Sequence, residues 1–289
     1  MATGPTTTAA AGASDVNHGR RVVTWWIILS VIATPLVAIF VGPAIPPGNH
    51  SAQGTEQVFD NTVMTSIITP VLCLLVVFFA YGLRTFRAPA GDTADGPPLR
   101  NDARIQTLWM AVTGVIVLFL AGFGTYELLQ TGAGGGQGPS PIAKPANAQK
   151  AYEVQVIAQQ WQFTYRYPEL GGMESNQLVL PANTDVVFHV TSLDAVHSFW
   201  AYELGVKADA NPGSDNVAYV LTKDPETFHV RCAELCGLWH GYMFNNGRVV
   251  DQATFDAWAK KAQADYQVIA KYVPKYAHTY LPDPDRRAG

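Results

Sequence analysis

The sequence predicts a membrane-anchored protein whose outer part is all-β and ends in a helix. Three blocks of apolar residues lie within the first 130 positions, and each is long enough to cross a bilayer. Short runs of alternating apolar and polar residues, separated by turn residues, follow them. The last part of the chain then has apolar residues at helical spacing, which predicts a terminal helix.

The three apolar blocks are predicted to be transmembrane helices. They span Val22–Val41, Thr62–Leu83 and Ile105–Leu129. Their interiors lack the polar stripe of a soluble helix, and about 20 helical residues suffice to cross the hydrocarbon core. The first block is open to a second interpretation as a cleaved signal sequence, because two arginines precede it and small residues follow. We interpret residues 22–41 as an extra transmembrane helix or signal anchor, and residues 62–129 as a transmembrane helical hairpin.

The arginines predict the orientation of these helices. Arg20 and Arg21 precede the first block, and four more arginines, Arg84 to Arg104, lie between the second and third. The segment between the first two blocks contains no lysine or arginine. By the positive-inside rule, residues 1–21 form a disordered cytoplasmic N-terminus and everything after residue 129 lies on the outer face of a plasma or inner membrane.

The outer part is predicted to be one domain on a tether. Residues 130–150 are rich in Gly and Pro, which cannot form a core, so they are predicted to be a flexible linker. Residues 151–251 contain runs such as "DVVFHVTS" and "ETFHVRC", which predict an all-β sandwich. Residues 252–289 are predicted to be a helix and tail, with Asp251 as the N-cap. The net charge of −4 disfavours nucleic-acid binding.

The stretch "VRCAELCGLWHGYM" has the residues of a metal site. A disulfide between Cys232 and Cys236 would close a very short loop and leave His240 and Met243 without a role. Structural zinc accepts cysteine and histidine, but thiolate, imidazole and thioether together are what copper prefers. Two thiolates in one loop suit a pair of bridged copper ions, which requires a second histidine from elsewhere. His197 is the best-placed candidate; the other histidines of the outer part are His189, His229 and His278.

The spacing Cys-x-Glu-x-Cys-x-x-x-His-x-x-Met resembles the dinuclear copper (CuA) loop of cytochrome c oxidase subunit II. Further segments are similar to the same family: "DAVHSFWAYELGVKADANPG" around His197, "QQWQFTY" around Trp161, and "FDAWA" at the start of the terminal helix. The resemblance covers roughly residues 60–262. It implies a cupredoxin-like Greek-key β-barrel on a helical membrane anchor.

The resemblance also implies roles for individual residues. Cys232 and Cys236 would bridge two copper ions, and His197 and His240 would each bind one of them. Met243 and the backbone carbonyl of Glu234 would complete the set.

Residues around the copper loop also receive roles from the resemblance. The side chain of Glu234 would point to a magnesium or manganese ion at the boundary with subunit I, which Asp209 would support. Trp161 would be the point of electron entry from cytochrome c, and Asp194 would belong to the acidic docking rim for it.

The function that the resemblance implies is that of an electron-entry subunit in a terminal respiratory oxidase. Such a chain takes electrons from cytochrome c and passes them to haem in subunit I, where oxygen is reduced to water and protons are pumped; subunit III is a further partner. The alternative is the small subunit of a CuA-containing nitric oxide reductase. A copper storage or assembly factor is a different class, and quinol oxidase subunits lack the copper ligands.

A few positions depart from the family pattern. Gln106 stands where a carboxylate is common before the last transmembrane helix, and an amide cannot release a proton. Leu193, Ser214 and Phe163 also differ from the usual residues. A proton-uptake role at Gln106 is therefore not expected.

Overall fold

The computed structural model describes residues 16–46, 48–87, 91, 102–132 and 134–272. The predicted N-terminal disorder falls largely on residues outside this range, as do most of the predicted cytoplasmic loop and the tail with His278. The chain divides into two compact units, residues 1–40 with 63–100, and residues 41–62 with 101–289.

Four helices are present in the described part of the chain. They are α1 (His18–Leu36), α2 (Ala52–Thr85), α3 (Ala103–Thr131) and α4 (Gln252–Ile269). Three segments are long and apolar enough to cross a membrane: His18–Ala44, Ala52–Thr85 and Ala103–Gln130. In the apolar stretch of each candidate span, at most 17% of the residues are buried. Their apolar side chains are thus available to lipid or to other subunits.

The helix starts follow from capping residues. Asn17 accepts a hydrogen bond from the Arg20 N–H before α1, and Asp102 caps α3 in the same way. Asp251 accepts from the Thr254 N–H, which confirms its predicted role as the N-cap of α4. Helix α2 begins ten residues before the apolar block that predicted it. Its first turns are polar and lie in the same compact unit as the β domain, so the apolar pattern alone does not mark the start.

Helix α1 makes specific contacts within the first unit. The Trp26 indole N–H donates to the carbonyl of Pro70 on α2 at 2.8 Å, and the His18 imidazole lies 2.7 Å from the Tyr81 hydroxyl. An indole N–H surrounded by apolar groups requires an acceptor, so this bond favours a defined packing of α1 on α2.

The β domain consists of ten strands in two sheets. The strands are β1 (Tyr152–Gln159), β2 (Gln162–Tyr167), β3 (Met173–Ser175), β4 (Leu178–Pro181), β5 (Asp185–Ser192), β6 (His197–Ala201), β7 (Val206–Ala210), β8 (Asn216–Leu221), β9 (Glu226–Cys232) and β10 (Phe244–Val250). One sheet has the order β3-β2-β1-β5-β8 and the other β4-β10-β9-β6-β7. Pairs β1–β5 and β4–β10 are parallel and the others antiparallel.

The core lies between the two sheets and is rich in aromatic rings. Phe199 is fully buried and packs edge-on against Phe163 at 5.9 Å between ring centroids, so Phe163 is a core residue. Helix α4 adds Trp258, whose ring lies 5.2 Å from that of Tyr167. The predicted fold class, a β-barrel domain of the cupredoxin type with membrane helices and a C-terminal helix, is confirmed.

The linker is not a free tether, which corrects the prediction for residues 130–150. Gly134 accepts from the N–H of Lys207 on β7, and Gly136 donates to the carbonyl of the same residue, both at 2.9 Å. Gln137 and Gly138 then exchange hydrogen bonds with Val217 on β8. The segment therefore joins the edge strands of the two sheets.

The glycines that suggested flexibility instead permit this close approach. A Cβ added at Gly134 would lie 2.2 Å from the carbonyl oxygen of Gly205, whereas a Cβ at Gly135 would meet nothing within 4 Å. The missing side chain at position 134 is what lets the two backbones pack together.

We predict that Gly134→Ala destabilises the β domain, because a backbone atom cannot move aside as a flexible side chain can. The expected loss is about 1–3 kcal/mol in the free energy of unfolding, as for other overpacked sites. Gly135→Ala is the matched control, since both changes restrict the unfolded chain equally. Thermal unfolding of both variants measures the difference, and equal melting temperatures would contradict the close packing of the linker.

Candidate metal centre

Two strands and one loop bring the predicted metal ligands together. His197 is the first residue of β6 and Cys232 the last of β9, and the two strands pair through Phe199 and Cys232. The loop between β9 and β10 carries Cys236, His240 and Met243. Because β6 and β9 are neighbours, residues 35 apart in sequence become adjacent.

The donor atoms lie within van der Waals reach of one another. The Cys232 sulfur is 3.8 Å from His197 Nδ1 and 3.7 Å from the Cys236 sulfur. The Cys236 sulfur is 3.5 Å from His240 Nδ1 and 3.8 Å from the Met243 sulfur. The carbonyl oxygen of Glu234 is 3.2 Å from the Cys232 sulfur.

These separations fit ligands of a metal rather than a disulfide. Bonded sulfurs are about 2.05 Å apart, and both thiols here are free. Donors placed tetrahedrally around an ion at about 2.0–2.3 Å are about 3.3–3.8 Å from each other. His197, Cys232 and Cys236 also form a buried group whose ligand atoms all lie within 4.8 Å of one another.

Most of the centre is buried, and its chemistry suits a soft cation. His197 is fully buried, and Cys232, Cys236 and Met243 are at most 9% exposed. Burial raises the pKa of the Cys236 thiol to about 12, and its hydrogen bond to Cys232 adds to this effect. Two thiolates in such a pocket need a positive ion, and thiolate, imidazole and thioether donors select copper over harder cations.

The loop is held in place by its own backbone and by the strand beneath it. The N–H of Cys232 donates to the carbonyl of Met243 at 3.0 Å, and the N–H of Ala233 donates to the carbonyl of Ser198 at 3.0 Å. Gly237 has φ +116°, a conformation that side chains disfavour, and a Cβ there would meet the Gln160 amide at 3.1 Å.

Trp161 lies beside the cluster. Its half-buried indole packs against the domain core, and its N–H donates to the carbonyl of Cys236 at 3.3 Å. The neighbouring Gln160 amide donates to the same carbonyl at 2.8 Å. The Trp161 ring is thus hydrogen-bonded to the backbone of Cys236, one of the two loop cysteines.

Asp194 holds His197, a role that sequence reasoning missed. One carboxylate oxygen lies 2.9 Å from His197 Nε2 and the other accepts from the Gln160 N–H at 2.7 Å. An imidazole that donates from Nε2 presents the lone pair of Nδ1, the atom that faces Cys232. The spacing of three residues before the histidine was the available signal, but it does not reveal which ring nitrogen is held.

The electrostatics of Asp194 agree with this arrangement. Burial alone would raise the pKa of its carboxyl, but hydrogen bonds from Gln160, His197 and Ala195 outweigh burial and lower the pKa. The carboxylate therefore stays ionised at neutral pH, and its contribution to stability is lost only as the pH falls through the lowered pKa.

The other named residues lie outside the cluster. The side chain of Glu234 is exposed, and Asp209 lies on β7 opposite Ser198 with an exposed side chain. His189 pairs with Asp215 at 2.7 Å and His229 with Glu203 at 2.6 Å, so neither is a donor to this centre.

Several known proteins are similar to this chain. The family model for the periplasmic domain of cytochrome c oxidase subunit II matches residues 172–250. Cytochrome c oxidase subunit 2 of Thermostichus vulcanus is 26% identical, covering 83% of this chain and 85% of that protein. The subunit 2 of Synechocystis is 27% identical, covering 80% of each. The resemblance to subunit II is confirmed. The relatives of this chain are subunits of an oxidoreductase complex.

One solved structure is similar to the outer domain. The periplasmic domain of cytochrome oxidase subunit II from Bradyrhizobium japonicum is 29% identical, with a TM-score of 0.39, covering 40% of this chain and 95% of that one.

We predict that Asp194→Ala weakens copper binding, because His197 loses the group that fixes its tautomer and orientation. Losses of about 10–100-fold in affinity are typical when such a supporting group is removed. Asp224→Ala, an exposed aspartate in the turn before β9, is the control. Competition with a copper chelator measures both variants, and an unchanged affinity for Asp194→Ala would show that the carboxylate does not position the ring.

Proposed function

We propose that this chain is the electron-entry subunit of a terminal respiratory oxidase. It accepts electrons from cytochrome c at a dinuclear copper centre and passes them to haem in subunit I, where oxygen is reduced to water with proton pumping. The observation that carries the proposal is the cluster of two thiols, two imidazoles and a thioether, buried except at the half-buried His240, on a chain similar to oxidase subunit II.

The donor set supports two ions rather than one. Each thiol has an imidazole nitrogen within 3.8 Å and a weaker donor close by, the Glu234 carbonyl for Cys232 and Met243 for Cys236. A single copper site of the blue type uses one cysteine and two histidines, so a second cysteine would be in excess. Bound copper would supply a one-electron redox couple, while the residues hold it rigidly and keep water out.

The surface beside the centre supports docking of cytochrome c. Trp161 reaches from this surface to the Cys236 carbonyl, which suits an entry point for electrons. Exposed apolar side chains stand around the loop: Val196, Leu235, Leu238 and Tyr242 are 41–83% exposed. Asp194 is 36% exposed at its side chain, so its predicted place in an acidic docking rim is compatible with its bond to His197.

The boundary with subunit I is proposed to carry a magnesium or manganese ion. Glu234 would be a ligand, because its carbonyl turns toward Cys232 while its side chain is exposed. Ala233 bonds to Ser198, which pairs with Asp209 across β6 and β7, so Asp209 lies near the same part of the loop. Subunit III is proposed as a further partner on the basis of the family resemblance alone.

The arginine distribution supports a multi-pass chain with a cytoplasmic N-terminus and the copper domain outside. The bonds of Trp26 and His18 to α2 support retention of α1 in the mature protein.

We predict that the full chain, purified in detergent and loaded with copper, binds two copper ions. Its electron paramagnetic resonance spectrum should show one unpaired electron shared equally by two copper nuclei, because the Cys232 and Cys236 thiolates would hold both ions between them. Cys232→Ser and Cys236→Ser should each abolish this shared signal. Cys73→Ser removes the third cysteine, which lies on α2, and should leave the signal unchanged.

One copper per chain, or a shared signal that survives the loss of either loop cysteine, would refute the dinuclear centre. Oxygen consumption by the complex purified with its large subunit, compared with its turnover of nitric oxide, distinguishes an oxidase from a nitric oxide reductase.

We predict that alkaline phosphatase, which is active only after export, is inactive when fused after Gly91 and active when fused after Lys150. The arginines flanking residue 91 hold that loop on the cytoplasmic side. The opposite pattern would invert the proposed topology.

A further inference from the structure

Glu203 is a buried carboxylate in the turn that follows β6. Glu203 is 8% exposed, and both of its carboxylate oxygens are within hydrogen-bond distance of one residue of β9. One oxygen accepts from the backbone N–H of His229 at 2.9 Å, and the other lies 2.6 Å from His229 Nδ1. The family resemblance assigned no role to either residue.

The carboxylate continues the pairing of β6 with β9 beyond the last backbone pair. These strands pair through Phe199 with Cys232, Trp200 with Arg231 and Ala201 with Val230. At the next position the chain turns away through Tyr202–Leu204, so β6 offers no further carbonyl to the His229 N–H. The side chain of Glu203 supplies the acceptor instead, and a charged acceptor makes the stronger hydrogen bond.

The same turn is held from the other side by the segment that leads into α2. The N–H of His50 donates to the carbonyl of Glu203 at 2.9 Å, and the Ser51 hydroxyl donates to the carbonyl of Leu204 at 2.6 Å. A Cβ at Gly48 would lie 2.5 Å from Glu203 Cγ, so this segment packs directly on the side chain. Glu203 is therefore fixed between the start of α2 and strand β9.

We propose that Glu203 is a positioning residue for the metal centre. It fixes strand β9, and with it the Cys232 sulfur, relative to His197 on β6, and it ties both to the outer end of α2. This inference rests on the proposed copper centre, since the spacing it controls is that between His197 Nδ1 and Cys232. His229 lies three residues before Cys232, so a shift of β9 at His229 is transmitted along one extended strand.

A second pair in the domain offers a matched control. His189 and Asp215 lie 2.7 Å apart on β5 and before β8, in the sheet that carries none of the proposed ligands. Asp215→Ala removes a similar carboxylate–imidazole contact from a similarly shielded place. Any general cost of losing such a pair should therefore appear in both variants.

The test compares Glu203→Ala, His229→Phe and Asp215→Ala in the full chain. Without copper, amide hydrogen exchange at His229 to Cys232 should be about tenfold faster in Glu203→Ala, because strand opening is no longer resisted. With copper, the rate of copper loss should rise by about tenfold and the hyperfine splitting should change. In the wild-type chain the rings of His229 and Tyr202 stack with their centroids 5.6 Å apart. His229→Phe keeps this stack and the backbone hydrogen bond to Glu203, so it should change amide exchange and copper loss less than Glu203→Ala does.

Glu203→Asp keeps the charge but withdraws the carboxylate by one methylene. This variant tests the positioning role if Glu203→Ala does not fold. Glu203→Asp should also speed amide hydrogen exchange at His229 to Cys232 and the rate of copper loss. Values equal to those of Asp215→Ala in both readings would overturn the role of Glu203. A wild-type chain that binds no copper would refute the proposed function, while the exchange readings would still test the fixing of β9.

Discussion

The pairing of β6 with β9 is the contact on which the metal centre depends. It places a histidine from one part of the domain against a cysteine from another, and it does so at the ends of two extended strands. A strand that slips by one residue turns every side chain to the opposite face. The centre therefore requires both a correct register and a means of holding that register where the strands diverge.

The surroundings of the metal centre explain how thiols, imidazoles and a thioether can lie together in one pocket. The sulfur donors and His197 are buried, and the carboxylate of Asp194 bonds to the side of the His197 ring that faces away from the sulfurs. Positive charge is thus what the pocket lacks. A pocket closed by packing and by backbone bonds changes little when an electron arrives or leaves, which suits electron transfer.

Much of this arrangement could be predicted from the sequence. The loop ligands lie close together in the chain, so their spacing alone indicates a metal site, and uncharged blocks indicate membrane helices. The strand β6 that carries His197 was not predicted, because its five residues are too few to show alternation. The hydrogen bond between Asp194 and His197 Nε2 could not be predicted, and neither could the bonds between Glu203 and His229 on β9. Each depends on how the folded chain orients its side chains. The polar first turns of α2 were missed because they lack the apolar run that marks a membrane span.

The linker between membrane and domain has a consequence for solubility. Strands β7 and β8 are the outermost strands of their sheets, and such edges are templates for pairing with another chain. Gly134 to Gly138 occupies hydrogen-bonding groups of both. A fragment cut at residue 151 would expose these two edges to aggregation, whereas one cut at residue 134 would bring its own cover.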